Sequence, residues 1–419
     1  MILIKNIKYI DVEESIVKGP CDILIDGNRV KKIADNIEEA GAYVIDGADK
    51  LLMPGLFNTH NHVAMSVFRN YADDMELMDW LQNKIWPLES KLTAEDIYWA
   101  SLLTFIELVK TGTTAFNDMY MFCERVFDAA SEIGMRGLIA RGMTNDAFNK
   151  EREANIRDMY EKYHQKGGLL RLAIAPHAIY TTGLDYLKSC IDLAKELDLI
   201  IHTHASETLT EVNNSYKEYR KSPIKIFKEL GMFDQKTILA HCVHLSEEDM
   251  DIIAKNNALV SLNVSSNMKL ASGIPDIKNM FVRGDKLAIG TDGASSNNMQ
   301  NMFTEMRAVS LAAKARSLDP KVMSAGEVLK LATINPYKYI FDEDVNISEG
   351  SLADLILINL DNTNLKPQNN LISAMVYSMN GSEVDTTIIN GKIIMENKKI
   401  KGIDEDLVVR KVEEIIKNI

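Results

Sequence analysis

Hydrophobic and polar positions change their rhythm twice along this chain. Residues 1 to about 50 are short apolar stretches cut by tight-turn pairs: Asp26-Gly27-Asn28 separates CDILI from RVKKIA, and Asp46-Gly47 separates AYVI from KLLMPGLF. Such pairs between apolar runs predict hairpins. The far end has the same texture, with strands expected at 353–360 (ADLILINL), 371–378 (LISAMVYS) and 384–398, the last turning at Asn390-Gly391. Two β-rich ends around a different middle predict one small β-sandwich domain made from residues 1–54 and 345–419, and a second domain over 55–344.

In the middle, apolar runs alternate with amphipathic ones. After the stretch LLMPGLFNTHNH, strands are expected at 113–119, 136–142, 171–177, 199–205, 237–242, 258–264 and 286–292. Helices are expected between them, at 94–111, 122–134, 150–166, 184–197, 222–231 and 246–256, and afterwards at 300–317 and 324–333. Thr93 is placed to cap the first of these, with Glu95 and Asp96 in its opening turn and Gly112 at its end. Apolar strands separated by helices pair in parallel, and eight such units close into a TIM-like (β/α)8 barrel. An open doubly wound sheet would need a Gly-rich phosphate turn after an early strand, and none is present.

Composition narrows the partners. Of 419 residues, 46% are hydrophobic and 26% charged, which is ordinary for a globular protein. The formal net charge of −13 argues against a nucleic-acid partner, which needs a basic surface. The opening MILIKNIKYI lacks the apolar core of a signal peptide, and no run approaches the ~20 apolar residues of a membrane span. Cys21, Cys123, Cys190 and Cys242 form no C-x-x-C pair, so reduced thiols and a cytoplasmic location are expected. Assembly into a homo-oligomer is left open.

Barrel enzymes carry their chemistry at the C-terminal ends of the strands. Those ends here hold His60 and His62, Asp118, Arg141, His177, His202 and His204, His241, Asn263 and Asp292 in chain order. Six of the eight histidines thus fall on one rim. Side chains two apart on a strand share a face, so His60 and His62 can reach one cation. A catalytic zinc takes three or four N/O ligands and leaves a place for water. The natural set is His60, His62, a histidine of the fifth strand (His204, nearer the tip than His202) and Asp292, which barrel closure brings beside the first strand. Glu207, three residues past His204, is placed to take a proton from water activated by the metal.

MPGLFNTHNH, HTHASE (202–207), AHCVH (240–244) and GTDGASSNN (290–298) together resemble the amidohydrolase superfamily, and within it the 5-methylthioadenosine/S-adenosylhomocysteine deaminases. The resemblance spans nearly the whole chain. It implies one zinc ion per subunit on His60, His62, His204 and Asp292, with Glu207 as proton shuttle and His241 hydrogen-bonding near the attacking water. Pro176-His177, standing where other branches carry a bridging lysine, fits a mononuclear site. For the substrate it implies Glu89 on the ribose hydroxyls, His177 at the purine, Arg141 on the amino-acid carboxylate and Ser296 nearby. Arg152 is the candidate for a second carboxylate contact. Val264 departs from the proline that often follows the seventh-strand asparagine.

The expected activity is therefore hydrolytic deamination of a 5′-substituted adenosine to the inosine analogue and ammonia. Guanine deamination or triazine dechlorination on the same barrel is the alternative. Glu89 and Arg141 argue against it, since neither has a partner on a ring without ribose. A catalytically silent assembly protein would not need the intact ligand set with Glu207.

Overall fold

The computed structural model describes residues 1–144, 150–164 and 168–419. Its central sheet consists of eight strands, each hydrogen-bonded to the next in chain order. They are β1 (Leu56–Asn61), β2 (Thr113–Tyr120), β3 (Arg136–Met143), β4 (Leu170–Pro176), β5 (Ile201–Ala205), β6 (Thr237–His241), β7 (Ala258–Leu262) and β8 (Lys286–Ile289). All neighbouring pairs are parallel. β8 returns to the side of β1, where the Asp292 amide donates to the His60 carbonyl at 2.9 Å. The result is a nearly closed barrel of the TIM type.

Alternation along the strands sends one set of side chains inward. Phe57, Ala115, Met119, Leu138, Ala140, Ala173, Ile238, Leu259 and Ala288 fill the lumen, and Tyr337 and Phe341 join them. Residues of the other parity, such as Phe116 and Ile139, pack outward against the helices. Gly290 marks a close approach: a Cβ there would fall 2.6 Å from Ser261 Oγ and 2.7 Å from the His60 amide. No side chain fits that gap without pushing on β1.

Both chain ends contribute to a second sheet of nine strands. Its order is Lys399–Ile400, Lys392–Glu396, Val384–Ile389, Leu355–Asn359, Lys50–Pro54, Ile2–Asp11, Ile16–Asp26 and Arg29–Ala34, with Tyr43–Asp46 also on Ile2–Asp11. The ends, expected as a sandwich, are thus hydrogen-bonded as one continuous sheet around Ile4, Ile7, Ile23, Leu52 and Leu355. A buried ion pair ties this sheet to the barrel, with Arg136 Nε of β3 at 2.6 Å from Asp354 Oδ2.

Several helices follow their local signals. Thr93 and Asp96 form a capping box on Ala94–Lys110, and Gly134 closes Cys123–Ile133 in the left-handed conformation. Lys150–Tyr163 occupies most of the stretch expected at 150–166, whose last two positions lie outside the described residues.

Other segments depart from expectation. Residues 371–378 are not a strand. Asn370 accepts from the Ser373 amide and starts the helix Leu371–Tyr377, whose Met375 and Val376 are buried. The β-rich C-terminal end also finishes in a helix, Glu405–Asn418, capped by Asp404. Between β5 and the helix Pro223–Glu229 lies a further helix, Leu209–Tyr219. Four rim residues lie past their strands: His62 and His177 by one residue each, Asn263, which leads into the helix Val264–Lys269, and Asp292, which follows the end of β8 by three residues.

Candidate active site

At the C-terminal rim the ring nitrogens of β1 and β5 converge with Asp292. Asp292 Oδ1 lies 3.5 Å from His60 Nε2 and 3.4 Å from His62 Nε2, and His62 Nε2 is 3.3 Å from His204 Nε2. Two overlapping trios, His60–His62–Asp292 and His60–His204–His241, each keep their candidate ligand atoms within 4.8 Å of one another.

The other ring nitrogens are engaged by protein groups. His62 Nδ1 lies 2.6 Å from the Met119 carbonyl, and His204 Nδ1 lies 2.7 Å from the His177 carbonyl. Each can therefore carry its proton on Nδ1 and present a bare Nε2, the tautomer a metal requires. His60 Nδ1 meets His202 Nε2 at 2.9 Å, which puts His202 behind His60. His60 Nε2 is fully buried and has no hydrogen-bond partner among the described residues.

Burial pushes His60 down to about 4, lowers His62, and takes His204 well below the usual imidazole range. Burial alone would raise Asp292, but the His60 ring 3.5 Å away, with His62 and His241 beyond it, outweighs that effect and holds this carboxyl well below its ordinary value. Ser266 Oγ and the Gly293 amide donate to its two oxygens, at 2.6 and 2.7 Å. Neutral imidazoles beside an ionised carboxylate, with an orphaned buried nitrogen pointing among them, fit a divalent cation.

Next to this cluster stand Glu207 and His241. Glu207 Oε2 is 3.8 Å from His241 Nε2, and Ser272 Oγ donates to Glu207 Oε1 at 3.3 Å. Burial pushes the Glu207 carboxyl up. Burial opposes protonation of His241, but the Glu207 and Asp292 carboxylates outweigh it and raise that ring's pKa. His241 Nδ1 is fixed by Asn267 Oδ1 at 2.8 Å. His241, Cys242 and Asp292 have φ of 74°, 50° and 65°, a left-handed backbone rare outside glycine that concentrates at functional sites.

Above them opens a cavity of about 560 Å³. His62, His204, Glu207, His241 and Asp292 line it together with Glu89, His177 and Ser296; Met65, Trp80, Trp86 and Met119 add apolar wall. Glu89 accepts from the Tyr120 hydroxyl at 2.5 Å, and burial raises its carboxyl. Burial takes His177 down to about 3, so its ring is neutral. Ser296 Oγ donates to the Gly293 carbonyl at 3.2 Å.

Arg141 and Arg152 are not part of the lining. Arg141 Nη1 donates to Asn155 Oδ1 at 2.8 Å, on the helix after β3. Asp118 is buried behind the rim, accepting from the Val63 amide at 2.7 Å. A larger cleft of about 890 Å³, between Ser15–Val17 and the helix Ala325–Ala332, is lined by neither histidine nor cysteine.

Sequence reading passed over Tyr120, Asn267, Ser266 and Ser272, which hold the rim groups in place. Tyr120 ends the strand TTAFNDMY and had a signal in that position. The other three sit in loops or a short helix whose geometry no motif announced.

A barrel with this rim defines a hydrolase, and the chain belongs to the amidohydrolase family, whose model matches residues 51–394. It is 43% identical to a 5-methylthioadenosine/S-adenosylhomocysteine deaminase of Caldanaerobacter subterraneus, over 100% of this chain and 98% of that protein. It is 41% identical to a 5′-deoxyadenosine deaminase of Methanocaldococcus jannaschii, over 99% of each. Among solved structures, an adenosine deaminase from Xanthomonas campestris with bound zinc superposes with a TM-score of 0.96 at 27% identity, covering 100% of this chain and 99% of that one.

Proposed function

We propose that the chain hydrolytically deaminates 5′-substituted adenosines (5-methylthioadenosine, S-adenosylhomocysteine, 5′-deoxyadenosine) to the inosine analogue and ammonia. The observation that carries this reading is the buried Glu207 carboxylate, 3.8 Å from His241 Nε2 and beside the converging ligand atoms, at one end of a nucleoside-sized cavity. His60, His62, His204 and Asp292 would hold one zinc ion per chain, which supplies Lewis acidity and lowers the pKa of water to about 7.

This chain's own groups then do the rest. His177 and Ser296 face the purine and orient C6 toward the ligand cluster. As water adds to C6, Glu207 accepts its proton and passes it to the departing amino group, while His241 donates to the oxygen becoming attached. The C6–N bond breaks, ammonia leaves, and C6 keeps the oxygen. Glu89 accepts from the ribose hydroxyls. Arg141, released from Asn155, and Arg152 would meet the carboxylate of the longer substrate. Every residue invoked belongs to one chain. Four buried, unpaired cysteines support a reducing compartment such as the cytoplasm, and among the described residues no helix is long and apolar enough to cross a membrane.

The test is metal analysis with a substrate panel assayed for ammonia. One zinc per chain, activity lost on chelation and restored by zinc, and turnover of the 5′-substituted adenosines are expected. Turnover of guanine or a chlorotriazine in preference to every nucleoside would overturn the substrate assignment, and full activity after exhaustive chelation would overturn the metal's role.

A further inference from the structure

We infer that Glu211, which touches neither the ligand cluster nor the cavity, is a positioning residue for Glu207; this rests on Glu207 being the proton carrier proposed above. After His204 the chain leaves β5 abruptly, with Ser206 at a left-handed φ of 51°. Such a turn points successive backbone N–H groups the same way and makes a small anion-binding concavity. Here a side chain of the protein fills it. Glu211 Oε1 accepts from the Ser206 amide at 2.9 Å and Oε2 from the Glu207 amide at 2.8 Å. Only 5% of Glu211 is exposed.

The source of this carboxylate gives the contact its reach. Thr208 caps the helix Leu209–Tyr219 by accepting from the Glu211 amide at 3.1 Å, so Glu211 is the third residue of that helix. In a capping box a side chain at this position folds back onto the capping residue's own N–H. Glu211 instead reaches past Thr208 to the two residues before it. The backbone of Glu207 is thereby fixed to a helix, while Ser272 and His241 meet its side chain at the far end. Glu211 sets where the Glu207 side chain starts, and Ser272 and His241 set where it ends.

Both carboxylate oxygens are needed. Glutamine has the same shape, but its single carbonyl can accept only one of the two bonds, and its NH2 would confront the other N–H. Aspartate keeps both oxygens on a shorter stem that cannot span the same distance. A misplacement of about 1 Å in a catalytic group can cost on the order of a hundredfold in rate without weakening substrate binding.

The experiment is a double-mutant cycle on zinc-loaded enzyme with 5-methylthioadenosine. Glu211→Gln is expected to lower kcat by ~10–100-fold with KM within about twofold and zinc content unchanged. In a Glu207→Gln background the same substitution should cost less than about threefold, because no shuttle carboxylate remains to be placed. Glu211→Asp is the second variant and runs the same cycle where the glutamine variant yields no zinc-loaded protein. Undiminished kcat in both variants, or losses that multiply in the double variant, would overturn the inference and leave Glu211 a structural support. If Glu207→Gln alone keeps the parental kcat, the shuttle reading itself falls. If Glu207→Gln is crippled while the Glu211 variants are not, only the positioning role falls.

Discussion

The Tyr120 hydroxyl donates to Glu89 Oε1 across 2.5 Å, joining the tip of β2 to the wall of the cavity. The bond occupies one carboxylate oxygen and leaves the other to accept from a ligand. If that ligand is the ribose diol, 2′- or 3′-deoxy analogues should lose ~10–100-fold in kcat/KM, the worth of a charge-assisted hydrogen bond. Tyr120→Phe frees Glu89 to rotate, so the ratio of kcat/KM between 5-methylthioadenosine and its 2′-deoxy analogue should shrink. A ratio identical to the parent's would make Tyr120 a packing residue.

Substrate choice at the 5′ end has its own test. Arg141 rests on Asn155 and would have to exchange that partner to meet the carboxylate proposed above. Arg141→Met should therefore depress turnover of S-adenosylhomocysteine ~10–100-fold and that of 5-methylthioadenosine much less. Equal losses on the two substrates would assign Arg141 to holding β3 against the helix Lys150–Tyr163.

Stability should depend heavily on one ion pair. Arg136 meets Asp354 through Nε at 2.6 Å and Nη2 at 3.2 Å, with both side chains almost fully buried. Arg136→Met leaves a buried carboxylate without its cation, a loss of about 3–5 kcal/mol. Denaturant unfolding should show it, and Arg136→Met with Asp354→Leu should recover a substantial part. A single variant as stable as the parent would mean that this ion pair does not hold the two sheets together.

Asp285 predicts a pH dependence unconnected with catalysis. Burial pushes its carboxyl up to about 7, and neither oxygen has a hydrogen-bond partner among the described residues. The folded state then binds more protons than the unfolded state between the unfolded value near 4 and about 7. Across that window this group makes stability fall as pH rises, by at most about 1.4 kcal/mol per pH unit. Asp285→Asn should remove this contribution, so its advantage in unfolding midpoint should be larger at pH 7.5 than at pH 5. A constant difference between the two pH values would refute the assignment.

The barrel was legible because its strands are short, apolar and followed by polar tips, and because histidines clustered at those tips. His60 and His62 could be placed from their spacing, since alternation on a strand is rigid, and His204 from lying nearer the strand tip than His202. Asp292 was legible as a residue but not as a position, because it lies three residues beyond β8 and is itself left-handed. LISAMVYS misled for a different reason: an apolar run of eight suits a strand or a short buried helix, and the Asn370 cap decided it. The helix Leu209–Tyr219 is mostly polar, with apolar residues only at Leu209, Val212, Tyr216 and Tyr219, a helical spacing that the sequence reading passed over. Arg141 shows the limit of a motif, which names a residue without saying which neighbour its guanidinium holds.

The second sheet also imposes an order on synthesis. Met53 pairs with Ile356, about 300 residues later in the chain. At ~5–20 residues per second, the Lys50–Pro54 edge waits roughly 15–60 s on the ribosome for its partner strand. For that interval a largely apolar strand, LLMP after Lys50, keeps one edge open to any passing strand. Folding of this enzyme is therefore a race in which the barrel's first units must form and shelter that edge before another nascent chain finds it.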